Sequence, residues 1–203
     1  MGSGPVADSY LRQSALASLH LMARAVAELG EAGIGLSERT PRAQIAVRGE
    51  ADDRFFVDGF SAATGLPLPV EANTTSTGLG RTAFWLGPNE WLLTSSEEVP
   101  GGLLSSLSET LAGRHHATTD VSESRIVLRV EGPRLADLMS KVTSLDLSRL
   151  QPGQCAQSTF ARTHMLLHVL PEAYDLFIHR SFAEYAWRWL EDAAAEYGVA
   201  VLR

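Results

Sequence analysis

Thr82-Ala83-Phe84-Trp85-Leu86-Gly87-Pro88-Asn89-Glu90-Trp91-Leu92-Leu93-Thr94 is two apolar runs around a turn. Pro88 presets φ for the second position of a β-turn, and Asn89 tolerates the third. The stretch therefore reads as a short β-hairpin. Trp85 and Trp91 are two of the chain's four tryptophans. A hairpin this small is marginal alone and must pack on something. Glu90 is its one ionisable group, and a turn carboxylate is ordinarily solvated, so the hairpin reads first as structure. Whatever part of Trp85 and Trp91 stays exposed is a candidate contact for a partner.

Working outward, residues 43–48 alternate, with Ile45 and Val47 on one face, and predict a strand. Asp52 or Asp53 can cap a helix holding Phe56, Phe60 and Ala63, closed by Gly65. Residues 66–81, rich in Pro, Thr, Ser and Gly, read as a long loop. After the hairpin, Leu103, Leu104, Leu107 and Leu111 mark an amphipathic helix, and residues 116–121 a strand. The order is strand, helix, strand, strand, helix, strand.

The second half repeats it. Residues 125–131 turn Ile126, Leu128 and Val130 inward. Gly132-Pro133 opens a helix with Leu135, Leu138 and Met139 on its core face. A linker covers residues 143–154. Residues 155–170 and 174–179 read as two β runs separated by Pro171-Glu172-Ala173. Ser181 and Glu184 have capping-box spacing ahead of a helix. Phe182, Tyr185, Ala186, Trp189, Ala193 and Tyr197 share one face of it, and residues 199–202 can form a last strand. The fold class is therefore α+β: two tandem β-α-β-β-α-β units, the split arrangement repeated. The expected division is an N-terminal arm or helix over 1–42, a first unit over 43–121 and a second over 122–203. Within the arm, residues 1–9 read as a loose leader and 30–41 as loop. Residues 10–29 carry Ala15, Leu19, Met22 and Val26 at helical spacing, although Arg12 to Leu16 also suits an extended arm.

The 203 residues are 45% hydrophobic and 20% charged, with a formal net charge of -7. No basic patch offsets that charge, so nucleic acid is not an expected partner. No apolar run is long enough to span a bilayer. Arg12, Gln13, His20 and Arg24 interrupt any signal-like core. Cys155 is the only cysteine, which excludes an intrachain disulfide and a cysteine-based zinc site. These features predict a soluble cytoplasmic protein without a membrane segment.

Candidate chemistry is sparse. Cys155 with His164 or His168 and Asp175 has the residue types of a thiol nucleophile system, but chain order supplies no geometry. His164 and His168 share a strand face, yet no third metal ligand follows at clear spacing. His115-His116 follows a helix end, where imidazole complements the dipole. Gly78-Leu79-Gly80-Arg81 lacks the strand-to-helix context of a phosphate loop. Asp120 and Glu123 suit acid–base work, but Asp120 and Ser122 more simply satisfy backbone groups at a turn. Trp187 lies beside the core stripe of the last helix, next to Arg188, and the pair suits either a partner contact or edge-of-core packing. The candidate contacts are thus Trp85, Trp91, Trp187 and Arg188; no catalytic, cofactor-binding or metal residue is assigned. A subunit or binding module is expected over a free-standing enzyme.

Two sets of motifs carry a resemblance. Asp120-Val121-Ser122, Arg129-Val130-Glu131-Gly132-Pro133, Leu138, Leu145-Asp146-Leu147, Leu150 and Gly153 are similar to the glycine-cleavage T-protein superfamily of folate-binding proteins. Residues 85–92, with Asp120-Val121-Ser122 and Arg180-Ser181-Phe182-Ala183-Glu184-Tyr185 before Trp189-Leu190, resemble the gamma subunits of heterotetrameric sarcosine oxidases. That resemblance spans nearly the whole chain. It implies a bacterial flavoenzyme that oxidises the N-methyl group of sarcosine to give glycine and hydrogen peroxide. The one-carbon unit leaves as formaldehyde or as 5,10-methylenetetrahydrofolate. It further implies FAD, FMN, NAD and folate sites mainly on the alpha and beta subunits and zinc on delta. Gamma is the small partner that completes the assembly, with alpha its expected direct contact.

One departure bears on this. Folate-active T-proteins carry a glycine-rich turn followed by an acidic pair on the hairpin after the long linker. The comparable residues here, about 162–168, contain no carboxylate. The resemblance then implies a folate fold kept without its chemistry: a non-catalytic subunit. The alternative is a stand-alone tetrahydrofolate-binding or one-carbon-transfer protein.

Overall fold

The structure is a computed structural model that describes residues 13–203. The leader expected over 1–9 and the helix expected from Tyr10 as far as Arg12 lie outside the described residues. In chain order the strands are β1 (Ile34–Arg39), β2 (Ala43–Gly49), β3 (Thr75–Gly78), β4 (Arg81–Gly87), β5 (Glu90–Ser95) and β6 (His116–Asp120). They continue as β7 (Arg125–Glu131), β8 (Cys155–Phe160), β9 (Thr163–Val169), β10 (Ala173–His179) and β11 (Val199–Val201). The helices are α1 (Leu21–Arg24), α2 (Arg54–Thr64), α3 (Pro100–Thr110), α4 (Leu135–Val142) and α5 (Ala183–Ala194).

The strands form two sheets, ordered β3-β4-β5-β2-β6 and β11-β1-β7-β10-β9-β8. Setting aside the edge strand β3, the first is one split βαβ unit, with β2 between β5 and β6. The second has the same order over β9, β10, β7 and β11, with β1 inserted between β7 and β11. The hairpin forms as its sequence dictates, with Trp85 opposite Trp91 and a register shift before Gly87. Asp53 caps α2 through the amide of Phe55, and Gly65 ends it in the left-handed region.

Strand alternation sorts the side chains into three buried clusters. Ile45, Val47, Trp91 and Leu93 of the first sheet meet Phe56, Phe60, Leu103 and Leu107 of α2 and α3. Leu128, Val130, Leu167 and Ile178 of the second meet Leu138, Ala186, Trp187 and Leu190 of α4 and α5. Between the sheets, Phe84 and Leu92 pack on Val127, Cys155, Leu166 and Phe177. The helices thus lie outside and the two sheets face each other. Burial on both faces is why Met165, Leu166 and Leu167 run together in the middle of β9.

Four expectations are corrected. Residues 30–41 are not a loop, because β1 pairs antiparallel with β7 and parallel with β11. Its glycines hid the pattern: a Cβ on Gly35 would lie 2.5 Å from a Leu202 methyl, so the packing needs glycine there. Likewise β3 lies inside the expected 66–81 loop, joined to β4 by Leu79 and Gly80, both at positive φ. Residues 155–170 are two strands, reversed at Ala161 with φ 46 and no Gly or Asn to signal the turn. From Gln13 onward the expected helix over 10–29 reduces to a 3-10 turn, Ala17–Leu19, and α1, separated by His20 in the left-handed region. Leu16 enters the second core, Met22 is 77% exposed, and Val26 bridges to Leu202.

The last helix is also rotated from its expected face. Its buried stripe is Ala183, Ala186, Trp187, Leu190 and Ala194, while Phe182 and Tyr185 are exposed. Alanines let the helix approach the sheet, and Trp187 fills the remaining space; aromatic count pointed to the neighbouring stripe. Ser181 makes no cap hydrogen bond, and Glu184 pairs with Arg188 instead.

Candidate functional site

Four adjacent strands place one polar row on the inner face of the second sheet. Arg129 on β7 is opposite Asp175 on β10, Asp175 is opposite His168 on β9, and His168 is opposite Cys155 on β8. Directly opposed residues point to the same side of a sheet. The row therefore faces the first sheet, and a cleft of about 540 Å³ opens there. Phe84, Val127 and Phe177 give it apolar walls, and Arg39, Arg81, Arg129 and His168 give it cationic or basic ones.

Arg129 grips Asp175 with two prongs, Nε to Oδ1 and Nη2 to Oδ2, each 2.8 Å. Hydrogen bonding to Asp175 raises the guanidinium pKa further above its usual value, against the cost of burial. Asp175 is thereby an anchored counter-ion rather than a free base. His168 is 8% exposed, and its ring meets Phe84 edge-on with centroids 4.9 Å apart. Burial lowers its pKa; Asp175 opposes that and Arg129 adds to it. The imidazole is neutral at pH 7 and makes no hydrogen bond among the described residues. The Cys155 thiol lies 3.5 Å from the carbonyl oxygens of both Thr74 and Trp85, and burial pushes its pKa up to about 12.

The thiol-system residues are thus partly assembled: Cys155, His168 and Asp175 share one row. Their chemistry does not follow, because the thiol stays protonated and Asp175 is held by Arg129 instead of orienting His168. His164 is exposed and sits opposite Thr159, away from the row. Four residues along a strand separate it from His168 by about 13 Å, too far for a shared metal ion. Sequence reasoning passed over Arg39, Arg81 and Arg129. No local signal marked Arg129, because its face of β7 also carries Arg125 and Glu131 and is the parity opposite the apolar Ile126, Leu128 and Val130.

The remaining candidates are structural. Leu79 and Gly80 only turn a hairpin. His116 Nδ1 lies 3.0 Å from the Arg114 carbonyl at the surface. Asp120 accepts from the Ser122 amide and hydroxyl, and Ser122 Oγ accepts from the Gln44 amide, which stitches the crossing between units. Glu123 pairs with Arg180 at 2.9 Å. Of the proposed contact residues, Trp91 and Trp187 are fully buried, so neither has an edge to offer a companion. Trp91 Nε1 donates to the Pro69 carbonyl at 2.7 Å. Trp85 is half-buried and Arg188 is exposed.

Residues 48–196 match the family model described as "Sarcosine oxidase, gamma subunit family". The chain belongs to that family. Among gamma subunits, that of Corynebacterium sp. (strain U-96) is 31% identical over 205 residues, covering 98% of both chains. A chain of the heterotetrameric sarcosine oxidase from Corynebacterium sp. U-96, solved in complex with pyrrole 2-carboxylate, superposes with TM-score 0.81 at 29% identity. It covers 95% of this chain and all of that one. The glycine cleavage system aminomethyltransferase T of Bartonella henselae has the same fold, with TM-score 0.69 at 17% identity over 95% of this chain and 59% of its own. The gamma-family match includes the hairpin, all four residues of the polar row and α5. The T-protein-like fold is the doubled split βαβ architecture described above.

Proposed function

We propose that this chain is the gamma subunit of a heterotetrameric sarcosine oxidase and that it is itself non-catalytic. The observation that carries the reading is the end-to-end likeness to a gamma subunit, 98% of each chain. The seam supports the second half of it. The Cys155 thiol bonds the Thr74 and Trp85 carbonyls and Asp175 is anchored by Arg129, so the neutral His168 has no nucleophile to activate and no carboxylate to orient it. In this reading the complex oxidatively demethylates sarcosine to glycine, with hydrogen peroxide and formaldehyde or 5,10-methylenetetrahydrofolate. FAD, FMN, NAD and zinc belong to the alpha, beta and delta subunits, and tetrahydrofolate is a co-substrate. The assembly is cytoplasmic; among the described residues no helix is long and apolar enough to cross a membrane.

Alpha is the proposed direct contact, with Trp85 and Arg188 kept as contact residues and Phe182 and Tyr185 joining them because α5 exposes both. Co-expression tests the reading: omitting gamma should leave the other three subunits incompletely assembled and the oxidase activity depressed. Full assembly and full activity without gamma would remove it. The stand-alone folate-binding alternative gains nothing specific, since a likeness at 17% identity bears on fold alone.

A further inference from the structure

The seam cleft carries features that packing does not require. His168 is more than nine-tenths buried, lines the cleft and has no hydrogen-bond partner among the described residues. Arg81 takes no part, because its guanidinium is held by the Thr64 carbonyl and by Glu98. Arg39 stands exposed at the mouth, with no ion pair among the described residues. Buried polar groups are ordinarily satisfied, so an enclosed imidazole left open to a cavity marks a place where something polar is received.

The charge balance says what kind of group that is. Of the three arginines that line the cleft, Arg129 is neutralised by Asp175 and Arg81 by Glu98, which leaves Arg39 as the cation without an ion pair among the described residues. The chain as a whole carries -7, so this is a local reversal of sign. Phe84, Val127 and Phe177 form an apolar wall beside the cationic mouth, which excludes a bare inorganic anion as the best fit. The volume, about 540 Å³, is within the range of small-molecule sites.

We propose that the cleft between the two sheets binds a small organic carboxylate with an apolar body. The body lies against Phe84, Val127 and Phe177, the carboxylate meets Arg39 at the mouth, and His168 hydrogen-bonds a polar atom of the ligand. The proposal does not depend on the oxidase assembly, because every group in it belongs to this chain.

The test is titration of the purified full-length chain with benzoate, followed through the His168 ring resonances by NMR. Benzamide serves as the neutral isostere and inorganic phosphate as the bare anion. Benzoate should bind saturably and move the His168 signals. Benzamide should bind about tenfold or more weakly, as loss of a charge-assisted contact implies. Arg39→Gln should weaken benzoate by a similar factor; the side chain is exposed, so the variant keeps its fold, and an unchanged amide spectrum checks that. No saturable shift at millimolar benzoate would overturn the proposal. So would equal binding of benzamide, equal effects of phosphate, or an Arg39→Gln variant that binds benzoate as tightly as the parent.

Discussion

Arg129 and Asp175 face each other across β7 and β10 and share two hydrogen bonds of 2.8 Å. The pair is largely enclosed, with side-chain exposures of 25% and 12%. Removing one partner of such a pair leaves the other charge without compensation in a poorly solvated place. Asp175→Ala should therefore destabilise the chain by about 2–4 kcal/mol in urea denaturation, below the full buried-pair range because Arg129 keeps some solvent. The double variant Arg129→Met with Asp175→Leu should recover part of that loss, since it strands no charge. A double variant no better than Asp175→Ala alone would show that packing, not charge compensation, sets the cost.

His168 ties stability to pH, and the direction follows from its environment. Burial and Arg129 hold its pKa below the usual imidazole value, while Asp175 pulls the other way too weakly to restore it. In the unfolded chain the ring takes its proton near pH 6.5. Between that value and the lower folded pKa, the unfolded state binds more protons. The contribution is whole above about pH 6.5 and is lost as pH falls through the folded pKa. His168→Gln should flatten the stability profile in that acidic window relative to the parent. Profiles that stay parallel from pH 7 to pH 5 would refute this coupling.

Trp91 and Trp187 are both fully buried, yet they stand differently toward their own polar atoms. Trp91 Nε1 donates to Pro69, whereas Trp187 Nε1 has no partner. Replacing either with phenylalanine removes ring volume. Only Trp91→Phe also orphans a carbonyl; Trp187→Phe removes a donor that was already unmet. Trp91→Phe should thus be the more costly by about 1–2 kcal/mol. Equilibrium denaturation of the two variants decides it, and a Trp187→Phe loss equal to or above that of Trp91→Phe would contradict the argument.

The hairpin, α2, α3 and the strand alternation of β2 and β7 were legible because each rests on local signals: a turn, a cap, a period. The T-protein-like doubled unit followed from their order. What escaped the sequence is non-local. Strand β1 exists because β7 and β11 flank it, and the residues that let it fit, Gly33 and Gly35, read locally as loop. The reversal at Ala161 is imposed by pairing of β8 with β9 rather than by a turn residue. In α5 two stripes one residue apart competed, and the alanine-rich one won because the sheet beneath is already crowded with large side chains. The candidate site was half visible for the same reason. His168, Asp175 and Cys155 stood out as residue types, but the register that aligns them with Arg129 spans four strands.

The insertion of β1 also rests on one backbone approach that a single methyl group can test. Gly132 has φ +121, and a Cβ there would lie 2.6 Å from the Gly33 carbonyl oxygen and 3.3 Å from Ile34 Cα. That carbonyl cannot swing away freely, because it accepts the Arg134 amide at the approach to α4. Both the dihedral and the contact therefore penalise alanine, and neither can be relieved by turning a side chain. Gly132→Ala should cost about 3 kcal/mol in urea denaturation, with faster amide exchange along β1 as the strand is pushed from its place. Gly101, in the first turn of α3, has no atom within 4 Å of the same substitution. Gly101→Ala should stabilise the chain by roughly 0.5 kcal/mol through helix propensity. If Gly132→Ala were tolerated as well as Gly101→Ala, the contact between the α4 approach and the start of β1 would not be what holds that strand in the second sheet.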